Sequence, residues 1–274
     1  MAARFDTASS GGLMLPSLTP VVKWLLIVNL GLFLALYFAQ MASPDLAAGI
    51  VQVLGVNPWS WFAAPLFFPF WQFATYGFLH DATGFSHILW NCLQLYFFGT
   101  MLEGLLGSRR FASLYGAGLL VAGLASLALG LLLGTGPVIG ASGAILAVVV
   151  ALAVLQPNTP VILLFVPVPL KWLAIGIVAI DAFGLVGEFM GKSQGIAHGA
   201  HLAGAVFGFF AARRHWIWID PVEQLEKRRR RREVDKRQDD ERRLDALLGR
   251  IHREGIDSLD DGEREFLKRM SKRP

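Results

Sequence analysis

Residues 111–133 read FASLYGAGLLVAGLASLALGLLL, twenty-three positions without a single charge. A helix that crosses a bilayer needs about 20 mostly apolar residues. This stretch is therefore expected to span a membrane. Five more segments follow the same pattern. Val21–Met41 precedes it, and so does His87–Leu106, which is interrupted by Asn91, Gln94 and Glu103. Ala141–Leu155 is shorter but uncharged, Leu170–Met190 carries Asp181, and Ile196–Ala212 closes the series. Six such segments predict an all-α, polytopic membrane bundle with six transmembrane helices. Val21–Met41 is longer than the apolar region of a cleaved signal peptide and is expected to stay in the mature chain.

Composition agrees. Of 274 residues, 54% are apolar and only 17% charged, against roughly 25% charge in soluble domains. Mean hydropathy is +0.49. A disordered chain and an ordinary soluble enzyme are both excluded. The charge is also unevenly placed. Residues 217–274 hold 17 of the 25 Lys and Arg and 15 of the 21 Asp and Glu. This predicts an N-terminal segment over 1–20, a membrane domain over 21–214, a charged helical linker over 215–243 and a C-terminal helical hairpin over 244–274. In the hairpin, Leu244, Leu247, Leu248 and Ile251 repeat at helical spacing. Gly255 ends that helix, and Ser258-Leu-Asp-Asp261 resembles the capping signal of a second short one. A hairpin this small is expected to pack on itself, on a second copy or on a partner. The net charge of +4 comes with no basic-aromatic patch, so no nucleic acid is expected as a partner. The Arg228–Arg232 run suits anionic lipid instead.

Basic residues mark the cytoplasmic side of a membrane protein. Arg109, Arg110, Lys171, Arg213 and Arg214 all fall on one side of a six-span layout, together with the N-terminus. Lys192 is the exception. Both termini are then cytoplasmic. The 42–86, Gly134–Gly140 and Glu188–Gln194 loops face outward. Within the first of these, residues 56–79 carry Trp59, Trp61 and Trp71 and are broken by prolines 58, 65 and 69. They read as a loop in the membrane interface.

Ionisable and polar groups within spans are costly and mark function by default. His87, Asn91 and Gln94 share one helix face. Ser142 stands in Gly140-Ala-Ser-Gly143 at the start of a span, and His201 lies in the outer half of the last. These sit toward the same side. A serine needs a base to become a nucleophile, and neutral imidazole is the usual one. At a helix start, Ser142 also has backbone N–H groups nearby. With His87 and the Asn91 amide, those donors suit an oxyanion in acyl transfer. Gly140 and Gly143 permit close backbone approach. Gly204-xxx-Gly208 is the small-residue spacing that lets two helices touch, bringing His201 against the fourth span. Asp181 is expected to bond a neighbouring helix, His80 to make a loop hydrogen bond and Glu103 to tie a loop. His198 and His201 offer two imidazoles but no carboxylate at ligand spacing, so no metal is expected. Cys92, the lone cysteine, reads as a buried small hydrophobe.

The chain resembles the rhomboid family of intramembrane serine proteases. His87-Ile-Leu-Trp-Asn91 looks like its HxxxN second helix, and Glu103-Gly-Leu-Leu-Gly107-Ser108 resembles the end of that helix. Gly140-Ala-Ser142-Gly143 is similar to its GxSG motif. Ala200-His201-Leu-Ala-Gly204-Ala-Val-Phe-Gly208 matches its AHxxGxxxG last helix. The resemblance covers about residues 60–212. It implies a six-helix membrane fold and cleavage of single-pass membrane proteins in or near their transmembrane segment. It implies Ser142 as nucleophile and His201 as base, without a third acid, and His87, Asn91 and the Ser142 N–H as oxyanion hole. Gly140, Gly143, Gly204 and Trp71 would support the site or the substrate's approach. A transmembrane protein substrate and membrane lipid follow as partners. No cofactor is implied, and the compact layout suggests a bacterial inner membrane. Two positions depart from the pattern. The family's Trp-Arg pair is Trp71-Gln72 here, and its common tyrosine four residues after the serine is Leu146. The alternatives are an inactive relative that binds membrane clients and a transporter. The intact Ser142, His201, His87 and Asn91 argue against the first, and the lack of a clear internal repeat argues against the second.

Overall fold

A computed structural model describes residues 16–63, 68–163, 166–191, 197–255 and 258–271. Lys192, Pro65 and most of the N-terminal segment fall outside them. Two compact units are present, with the division at Ile219/Asp220.

The first unit is an all-α membrane bundle. Its long helices are α1 (Pro20–Ala42), α7 (Ser108–Leu133), α8 (Ser142–Leu155), α9 (Leu170–Phe189) and α10 (His198–Arg213). The second apolar segment is composite. It runs as α5 (Ser86–Gln94), a π-helical turn over Leu95–Gly99 and α6 (Thr100–Leu106). By length and composition, α1, α7 and α9 are long and apolar enough to cross a bilayer. The 42–86 loop holds more structure than its prolines suggest: α2 (Pro44–Leu54), α3 (Ser60–Ala63) and α4 (Gln72–Thr75). Two short strands, β1 (Pro160–Leu163) and β2 (Val166–Pro169), form an antiparallel hairpin that pairs Pro160 with Pro169 and Val161 with Val168. Proline is tolerated there because each strand is an edge.

α8 lies at the centre. Every residue from Gly143 to Ala153 is buried, as expected of a helix that is apolar all round. A 14-residue helix is about 21 Å long, less than the roughly 30 Å hydrocarbon layer. At least one of its ends therefore lies inside that layer. α1 and α9 sit at the periphery. Of α9 only Leu170, Ala174 and Asp181 are buried, while Ile180 and Phe183 are exposed and suited to lipid. Asp181 is thus an inward-turned carboxylate in the middle of a largely apolar, outward-facing helix whose other charges, Lys171 and Glu188, lie at its ends.

Glu103 joins the end of α6 to the start of α1. Its carboxylate accepts from the Thr19 hydroxyl at 2.5 Å, from the Val21 and Val22 amides at 3.0 Å each and from the Ser108 hydroxyl at 2.6 Å. It satisfies the orphan N–H groups at the start of α1 and complements that end's partial positive charge. Cys92 is half-buried and free.

The second unit contains α11 (Pro221–Glu254) and α12 (Asp261–Met270). α11 is one unbroken helix across the expected 243/244 boundary, because the shift from charged to amphipathic composition breaks no backbone hydrogen bond. Gly255, at φ +84°, ends it. Asp260 caps α12 through a reciprocal pair with Glu263. Leu247, Leu259 and Phe266 form a small core, and Arg250 pairs with Glu263.

Candidate active site

Three local devices bring the polar residues together. The first is the crossing of α8 and α10. A β-carbon on Gly204 would overlap the Gly143 carbonyl, and one on Gly208 would overlap the Ala147 carbonyl. Only glycine at both positions lets the helices approach so closely. The second is the loop before α8. Val56 and Val138 exchange backbone hydrogen bonds at 3.0 and 2.9 Å, and the Gly140 amide donates to the Tyr76 carbonyl at 2.9 Å. The outer loop thereby clamps the segment leading into Ser142. The third is Gly140 itself. Its φ of +121° is unsuited to a side chain, and a β-carbon would meet His87 Nε2 at 2.9 Å.

The outcome is a hydrogen bond of 2.6 Å between Ser142 Oγ and His201 Nε2. Ser142 opens α8, where the first backbone N–H groups have no intrahelical acceptor. His87 and Asn91 line the same cavity of about 740 Å³ as Ser142 and His201, with Trp90 and Val138 among its apolar walls. The Asn91 amide donates to the His87 carbonyl at 2.8 Å, leaving its second hydrogen for another acceptor. Trp71 is not among the lining residues. Its indole N–H donates to the Val53 carbonyl at 2.9 Å and so anchors the outer loop.

Gln72, the departure beside it, sits at the centre of that loop. Its side-chain oxygen accepts from the Asn57 amide at 3.1 Å and the Trp61 indole at 3.0 Å. Its nitrogen donates to the Val53 carbonyl at 3.2 Å. A neutral side chain that both donates and accepts fits this buried spot. His80 is fully buried, edge-on to the His87 ring at 5.0 Å between centroids. Burial foremost, and then the neighbouring His87, depress its pKa to about 4, while the Phe78 backbone pulls the other way.

Leu146 stands where the family commonly has tyrosine and offers His201 no polar partner. Leu146 is buried within α8, and the support comes from α9. His201 Nδ1 lies 2.8 Å from Asp181 Oδ1, and His198 Nδ1 lies 2.8 Å from the same oxygen. Asp181 is also the carboxylate that the two histidines lack along the chain. The three side chains could in principle hold a cation. Donors bound to one tetrahedral zinc at about 2.0–2.2 Å stand roughly 3.3 Å apart, so separations of 2.8 Å are those of shared protons. Two further residues were not singled out from the sequence. Glu188 accepts from the His198 amide at 3.1 Å, capping the start of α10. Gly184 leaves room for the His198 ring, which a β-carbon would overlap. Asp181, Gly184 and Glu188 fall at i, i+3 and i+7, one face of α9, and that spacing was the signal to read.

A family model described as Rhomboid domain matches residues 68–216. Rhomboid protein 1, mitochondrial, of Saccharomyces cerevisiae is 34% identical over 153 residues, covering 53% of this chain and 41% of that protein. Presenilin-associated rhomboid-like protein, mitochondrial, of Rattus norvegicus is 28% identical over 178 residues, covering 64% of this chain and 45% of its own length. Its Mus musculus counterpart is 27% identical over 178 residues. The matched region spans less than half the length of these relatives.

Proposed function

The chain belongs to the rhomboid family, and from that premise we propose that it is an intramembrane serine endopeptidase that cleaves single-pass membrane proteins in or near their transmembrane segment. It is an integral membrane protein. The observation that carries the catalytic reading is the 2.6 Å contact between Ser142 Oγ and His201 Nε2, within hydrogen-bond reach for a nucleophile and its base.

In the proposed reaction Ser142 Oγ attacks the scissile carbonyl carbon while His201 Nε2 takes the hydroxyl proton. The oxyanion collects donors from the Ser142 N–H, from His87 and from the Asn91 amide. His201 then gives its proton to the leaving amine as the C–N bond breaks. A water entering the cavity, deprotonated by His201, hydrolyses the acyl-serine and restores Ser142. No step calls for a cofactor. Gly140, Gly143 and Gly204 act by permitting this approach, and Trp71 acts indirectly through the outer loop.

The partners of this reaction are a transmembrane protein substrate and the surrounding lipid. The bacterial inner membrane suggested by the compact layout gains no support from the relatives, which are mitochondrial. The mechanism needs only a bilayer. We assign the 220–274 unit a contact role, toward a second copy or another protein, on the grounds of its small separate core.

The test is cleavage of tagged single-pass proteins by wild type and Ser142→Ala in parallel. Products from wild type alone support the protease. Client capture by both, with no cleavage and no serine-probe labelling, moves the reading to a binding relative.

A further inference from the structure

Asp181 Oδ1 receives two imidazole nitrogens, His201 Nδ1 and His198 Nδ1, each at 2.8 Å. An ionised carboxylate only accepts hydrogen bonds. Both histidines must then carry a proton on Nδ1, and as neutral rings both leave Nε2 with a bare lone pair. For His201 that lone pair points at the Ser142 hydroxyl 2.6 Å away, which is the form a general base requires. For His198 it lies buried without a partner, against Gly184. Asp181 and His198 are 5% and 4% exposed. An aspartate on an outward-facing transmembrane helix is expensive, and the two N–H donors are what offset its burial.

We propose that Asp181 and His198 are positioning residues for the Ser142–His201 pair, making a four-membered array of a site expected to work with two. This rests on the serine-protease reading. Asp181 holds His201 in the Nδ1–H tautomer and stabilises the imidazolium formed when Ser142 gives up its proton. The proton stays on His201 until the leaving amine takes it, and Asp181 remains ionised throughout. His198 supplies the second donor that keeps the carboxylate charged and aimed. The groups facing His201 are Ser142 from α8, Asp181 from α9, His198 from its own helix and His87 from α5. Among the described residues Asp181 is the carboxylate bonded to His201, while Glu188 of α9 and Asp81 before α5 line the same cavity.

The experiment compares full-length wild type, Asp181→Asn and His198→Gln in proteoliposomes with a fluorogenic transmembrane substrate. Losing the tautomer is expected to lower kcat on the order of 10³–10⁴-fold in Asp181→Asn. KM should stay within about threefold, and the acid limb should move to lower pH, because an imidazolium that has lost its counter-charge gives up its proton more readily. His198→Gln should lose on the order of tenfold, as one supporting hydrogen bond does. An Asp181→Asn enzyme with wild-type kcat and an unmoved acid limb overturns the proposal. A wild type that neither cleaves nor labels at Ser142 overturns the protease reading instead. Imidazole ¹⁵N shifts then decide the positioning claim. His201 protonated at Nδ1 in wild type upholds it, and His201 protonated at Nε2 overturns it, whatever the fate of the variants.

Discussion

Gly204 of α10 lies against the backbone of Gly143 on α8, so close that a β-carbon on Gly204 would overlap the Gly143 carbonyl oxygen. Four residues further, Gly208 stands in the same relation to Ala147. His201 projects from this crossing, one turn before Gly204, and reaches Ser142, the residue before Gly143. The catalytic distance is therefore a product of helix packing, set by two hydrogens where other residues have carbon.

Gly204→Ala should force the two helices apart. Overpacking of this kind costs about 1–3 kcal/mol, and a displacement near 1 Å at the reacting atoms costs roughly 10²-fold in rate. The expected result is a lower thermal midpoint in detergent and a fluorophosphonate labelling rate at Ser142 down by about that factor. Gly176→Ala, on α9 where a β-carbon meets nothing, should match wild type in both measurements.

Gly140→Ala carries a double cost. The residue has φ +121°, and its β-carbon would press on His87 Nε2 at 2.9 Å. A non-glycine residue in a left-handed conformation costs on the order of 1–3 kcal/mol. Relief of either strain moves His87 or the residues leading into Ser142. We expect kcat to fall at least tenfold with little change in affinity for a substrate-derived peptide, read by steady-state kinetics and by peptide inhibition.

Much of this site is visible in the sequence because its logic is local. His87 and Asn91 share a face four residues apart, Ser142 opens an apolar helix between glycines, and His201 is followed by Gly204 and Gly208. Each spacing states its own geometry. Asp181 is different. Alone in a span it signals a polar partner, but nothing local says that the partner is His201, because the pairing depends on which face of α9 meets α10. Gln72 was hidden for a related reason. Its partners Asn57 and Trp61 come from a proline-broken stretch with no period to read and Val53 from the end of α2, so a buried hub looked like a missing arginine. The π-turn at Leu95–Gly99 and the unbroken α11 likewise follow from packing and from continuity of the backbone rather than from composition.

Gln72→Leu tests the hub. The substitution keeps the volume roughly constant and removes both the acceptor and the donor. It leaves the Asn57 amide and the Trp61 indole without that partner, at about 1–3 kcal/mol for each buried group left unsatisfied. The 42–86 loop should loosen while Ser142 and His201 keep their contact. Protease nicking of that loop and faster amide exchange around Asn57 are expected, with probe labelling at Ser142 reduced less than in Gly204→Ala. Gln72→Glu keeps the acceptors but buries a carboxylate with an oxygen facing the Val53 carbonyl, so it should loosen the loop at least as much as Gln72→Leu.

His80 gives the chain a definite response to acid. Its folded pKa is about 4, against about 6.5 in an unfolded chain. Above pH 6.5 both states hold it neutral and it contributes no pH dependence. As pH falls below 6.5, the unfolded chain binds a proton that the folded protein refuses. Stability is therefore lost between about pH 6.5 and 4, and the loss levels off below 4, where both states are protonated. Each tenfold difference in proton affinity between the two states is worth about 1.4 kcal/mol, so the whole interval carries at most about 3.5 kcal/mol. Thermal unfolding in detergent micelles should show a midpoint falling across this window in wild type. His80→Gln removes the titrating group while keeping a polar side chain, and its midpoint should fall less steeply over the same range. Parallel curves for the two proteins would assign the acid sensitivity to another group.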